Sequence, residues 1–72
     1  MAKRFENLET YVPWACEFIL KADAHDVFGK HTRVLCELEN ALDDKLINWS
    51  EFTLAQHLFN TVYALRKETL QK

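Results

Sequence analysis

Apolar residues recur along this chain at intervals of three and four, and the recurrence divides it into three amphipathic helices. Phe5, Leu8, Val12, Ala15, Ile19 and Ala22 step along one face, with Tyr11 and Phe18 at its edge, and predict a helix over about 3–24. Val27, His31, Val34, Leu35, Leu38, Ala41 and Leu42 form a second stripe, opposed by Arg33, Cys36, Glu37, Asn40 and Asp43. That helix starts near Asp26, or just after Gly29, and ends near Asp44. The third carries Leu54, Ala55, Leu58, Phe59, Val62, Tyr63 and Leu65, and runs to Thr69 or Leu70.

Local signals sharpen these boundaries. Asn48 and Glu51 have capping-box spacing, and Ile47 and Phe52 match a hydrophobic staple. Glu17 and Lys21 form a favourable i,i+4 pair. Pro13 removes one helical hydrogen bond and crowds the carbonyl of Glu9, so the first helix is expected to kink or to divide there. The few residues around Lys45–Ile47 make the last two helices antiparallel neighbours.

The apolar arc of the third helix spans about 180°, whereas one neighbour covers a stripe nearer 100°. Either the first helix covers the excess, giving a three-helix bundle, or a second copy does. Small domains often use oligomerisation to gain stability. Glu51 and Arg66 lie inside the arc, too far apart to meet within one helix. A two-fold axis between Leu58 and Phe59 would set Glu51 opposite Arg66, Phe52 opposite Leu65 and Ala55 opposite Val62. The expected fold is therefore all-α, one domain over 1–72, forming a helical homodimer. Its dimer or partner interface is Glu51, Phe52, Ala55, Leu58, Phe59, Val62, Leu65 and Arg66.

Composition narrows the function. Nine Lys and Arg against eleven Asp and Glu leave a formal charge of −2, where duplex binders usually carry a positive excess. The stretch from Thr53 to Lys67 has no breaker near Phe59, so it reads as continuous helix and not as a helix-turn-helix. A single glycine argues against a glycine-rich, phosphate-cradling loop. His25, Asp26, His31 and Cys36 match no metal-ligand spacing. Cys16 falls at a buried margin, and Cys36 has no identified base beside it. No enzyme activity, cofactor or metal is expected. With two cysteines, no leader-like start and no apolar run of about 18 residues, a cytoplasmic chain with free thiols and no membrane partner is expected.

Protein recognition remains. Glu37, Glu39, Asp43 and Asp44 concentrate negative charge near a helix C-terminus, where it opposes the helix dipole. With Trp14 and Trp49 they make a candidate partner patch. The profile of short length, acidic balance and helical pattern resembles small phage-encoded inhibitor and anti-activator proteins. That resemblance implies a non-enzymatic regulator that occludes a larger host protein, such as a transcription regulator. The run from Leu35 to Leu42, followed by Ser50-Glu-Phe and another long helix, is also similar to helical-hairpin co-chaperones of type III secretion needles. A small DNA-binding regulator is the remaining alternative. No motif transfers functional residues from any of these.

Overall fold

A computed structural model describes residues 5–71 as three helices: α1, Leu8–Leu20; α2, Val27–Asp43; and α3, Trp49–Leu70. No strand occurs among the described residues.

α1 begins later than its apolar pattern suggests. The Asn7 side chain accepts the backbone N–H of Thr10 at 2.9 Å, so the helix is capped there and Phe5–Asn7 stay outside it. The expected start at Lys3 lies outside the described residues. α1 also ends earlier, at Leu20, because Asp23 redirects the chain. Its carboxylate accepts the backbone N–H groups of His25 and Asp26, and its carbonyl accepts those of Asp26 and Val27. The turn runs straight into α2, which starts at Val27, before Gly29.

Pro13 lies inside α1, and the helix is not divided there. Pro13 and Glu9 are both exposed, so the missing hydrogen bond falls on the solvent side. The Glu17–Lys21 pair forms at 2.6 Å.

α2 closes in a Schellman motif, with Leu46 N–H on the Ala41 carbonyl and Lys45 N–H on that of Leu42. Lys45 takes the left-handed conformation, φ 63°, that glycine usually fills. α3 then opens with the full capping box. Asn48 Oδ1 accepts from Glu51 N–H at 2.8 Å, and Glu51 Oε1 accepts from Asn48 N–H at 2.9 Å. Ile47 and Phe52 are both buried, as a staple requires.

The core comes from all three helices and both connections. α1 supplies Tyr11, Ala15 and Ile19; α2 supplies Val27, Val34, Leu38 and Ala41; α3 supplies Phe52, Ala55, Phe59 and Val62. Ala22 and Ile47 close it from the two turns. α2 and α3 share the most extensive interface, and α1 lies mainly on α3. Tyr11 meets Phe59, and Arg66 Nε donates to the Ala22 carbonyl at 2.8 Å, so α1 and α3 run in the same direction. Tyr11, expected at the edge of the α1 face, is fully buried at its centre. Its ring touches those of Phe5, Trp14 and Phe59.

Candidate interaction surface

The wide apolar arc of α3 is divided by the fold. Phe52, Ala55, Phe59 and Val62 face inward and are covered by the chain itself. Leu54, Leu58 and Leu65 are not: they remain 73%, 40% and 55% exposed. The division follows from how far around α3 its neighbours reach, and the smaller of the two contacts is made by α1. Its buried residues Tyr11, Ala15 and Ile19 recur every four residues and make one narrow stripe. Such a stripe covers one side of α3 while α2 covers another, and the outermost side stays bare.

Leu54, Leu58, Thr61 and Leu65 stand at intervals of four, three and four along that bare side. The shared direction of α1 and α3, with Ala22 bonded to Arg66, brings Leu20 to the level of Leu65. Leu20 is 46% exposed. Scattered exposed leucines are ordinary, but several on one side of one helix make a patch of the kind that marks an interface. Leu20 was absent from the expected surface, although a wheel of α1 places it opposite Tyr11.

The dimer contact expected around Phe59 is not available as drawn. Phe59 is fully buried, and Phe52, Ala55 and Val62 are buried beside it, so an isologous contact through them would require the chain to open. Arg66 is held inward by Ala22, so the expected cross-pair of Glu51 with Arg66 loses its basis. Only Leu58 and Leu65 of the expected apolar interface residues remain outside.

The second expected patch is also divided. Glu37, placed on the polar side of α2, is half-buried and accepts the Tyr11 hydroxyl at 2.8 Å while Arg33 Nε lies 3.6 Å away. It is a structural partner of the core. Burial, the bond to Glu37 and its negative charge together push the Tyr11 hydroxyl far above the usual tyrosine range. Trp14 is half-buried and stacks on Phe18, whose ring carries Lys30 Nζ at 4.9 Å. These groups line an open hollow of about 310 Å³ with Glu17 and Lys21. Glu39, Asp43 and Asp44 are exposed at the other end of α2, nearer Trp49, which stacks on Phe52 and projects into solvent.

The remaining candidates for chemistry are dispersed. His31 lies with Nε2 at 2.8 Å from Asn60 Oδ1 and stacks on Tyr63. Cys36 is exposed, whereas burial raises the thiol of half-buried Cys16. Among the described residues, no three His, Cys, Asp or Glu side chains gather as a metal site would require. α3 is unbroken through Phe59, so it forms no helix-turn-helix. Among the described residues, no helix is long and apolar enough to cross a membrane.

No family model matches the chain, and comparison with curated proteins and with solved structures yields no match.

Proposed function

We propose that this protein is a non-enzymatic binding module, a small all-α regulator that acts by covering part of a larger protein. The surface it uses is the outer side of α3, Leu54, Leu58 and Leu65. One observation carries the reading: Leu54, Leu58 and Leu65 stay 40–73% exposed on one side of a single helix, whereas the other large exposed apolar side chains, Leu20, Phe28, Leu46 and Trp49, are spread over α1, α2, the α2–α3 turn and the first residue of α3. A monomer gains nothing from keeping the three leucines together on one side, while a partner that buries them gains roughly 25 cal/mol for each Å² removed from water. The dispersal of the titratable groups supports binding over catalysis, since general acid–base work needs its groups within hydrogen-bond reach of one another.

The test is affinity capture from an extract of its native cell, with the chain and with a Leu58→Glu, Leu65→Glu variant. Both positions are exposed, so the variant should melt as the parent does. One protein at fixed stoichiometry, retained by the parent and lost by the variant, is expected. A protein retained equally by both would remove this face from the function.

A further inference from the structure

We infer that the occupant of this face is an amphipathic helix of another protein, with its apolar stripe bracketed at both ends by lysine or arginine. The inference rests on the reading above, that the face is an interface, and specifies what docks there. Leu54, Leu58, Thr61 and Leu65 have the four-three-four spacing of a seam that packs along a second helix. The same spacing continues outward to Glu51 before Leu54 and to Glu68 after Leu65, both exposed. Glu51 has one carboxylate oxygen on the cap, and the residue is exposed. From Glu51 to Glu68 the seam is about 25 Å long, and its apolar centre, Leu54 to Leu65, about 16 Å.

No cation of α3 interrupts the strip. Arg66 is bonded inward to Ala22, and Lys67 Nζ sits 5.4 Å from the Tyr63 ring, on the side packed against α2. Among the titratable groups of α3, His57 is the one other that flanks the seam, and it too is exposed; on α1, exposed Glu17 and Lys21 are paired with each other. A docking helix therefore meets leucines in the middle and a carboxylate at each end. Basic residues at both of its ends complete the contact.

A second copy of this chain does not. Placed antiparallel, Leu54 of one copy meets Leu65 of the other and Leu58 meets Thr61, but Glu51 meets Glu68 at both ends. Placed parallel, each glutamate meets its counterpart. Either arrangement sets like charges together twice, which disfavours the pairing.

The full chain and two synthetic helical peptides of roughly 25 residues provide the test. The peptides share one leucine seam and differ only in having lysine or glutamate at both ends. Binding is read by fluorescence anisotropy. The lysine-ended peptide is expected to bind about fivefold more tightly or better, with the gap narrowing as salt is raised. Glu51→Gln with Glu68→Gln should close the gap without changing the melt, because glutamine preserves a capping box. Leu58→Glu should abolish binding of both peptides. Equal binding of the two peptides, or a gap that persists in the double glutamine variant, overturns the charge bracket but leaves the face an interface. Failure of both peptides to bind likewise overturns the inference. Concentration-dependent dimerisation in sedimentation, lost in Leu58→Glu, would make a second copy the occupant. Peptide binding indifferent to Leu58→Glu would instead overturn the reading of the face itself.

Discussion

The hydroxyl of Tyr11 on α1 donates to Glu37 Oε2 on α2 at 2.8 Å, across 26 residues of sequence. This bond joins the two helices that share the least contact, and it lets a polar ring occupy the centre of an apolar core. Without it the buried hydroxyl would lack a partner, a cost of about 1–3 kcal/mol.

Tyr11→Phe keeps the ring and removes the bond. It should lower stability by about 1–2 kcal/mol at neutral pH, read from urea unfolding. The pH dependence gives a second measurement. The folded-state pKa of Tyr11 is raised, so the unfolded chain releases this proton first. The stabilisation is complete below the unfolded tyrosine pKa of about 10 and declines as pH rises above it. The decline from this group approaches about 1.4 kcal/mol per pH unit, and Tyr11→Phe should remove that component. Equal alkaline losses in parent and variant would contradict it.

Phe59 and Leu58 are adjacent in sequence and opposite in role. Phe59→Ala should destabilise the chain by about 3–5 kcal/mol, because it empties a fully buried site. Leu58→Ala should cost about 1 kcal/mol or less, since much of that side chain is already in water. Phe59→Glu should unfold the chain and not yield a folded monomer. Circular dichroism melts of the three variants decide between this arrangement and one in which Phe59 faces a partner.

Lys45 holds a left-handed conformation that costs an L-residue with a side chain about 1–2 kcal/mol. Lys45→Gly should therefore raise stability by about 1 kcal/mol, with the α2–α3 turn unchanged. Lys45→Val should lower it, because a β-branched side chain fits that region worst. Urea midpoints at constant slope provide the comparison.

The two thiols should separate by reagent. Cys36 is exposed, while Cys16 is half-buried and its thiolate is disfavoured by that burial. Under native conditions at pH 8, iodoacetamide should label Cys36 first and Cys16 much more slowly. In denaturant the two rates should converge. Mass mapping after timed quenching reads both, and equal native rates would contradict the half-burial of Cys16.

Much of this architecture is legible within single turns of sequence. The Asn48–Glu51 box and the Ile47–Phe52 staple are local, involve residues three to five apart, and form as their spacing implies. The same holds for the 3.6-residue period that marks all three helices, and for the short turn that makes α2 and α3 neighbours. Apolar periodicity states which residues can be buried; it does not state which neighbour arrives to bury them. Whether Leu58 or Phe59 is covered depends on which sides of α3 the other two helices occupy. That position is set by contacts such as Arg66 with Ala22, 44 residues apart, and Tyr11 with Glu37. The helices and their caps were thus determined by the chain alone, through interactions a few residues long. The division of the α3 arc into core and bare seam was decided only by tertiary packing, because each neighbouring helix covers one stripe and the sides left bare depend on where the two neighbours pack around α3.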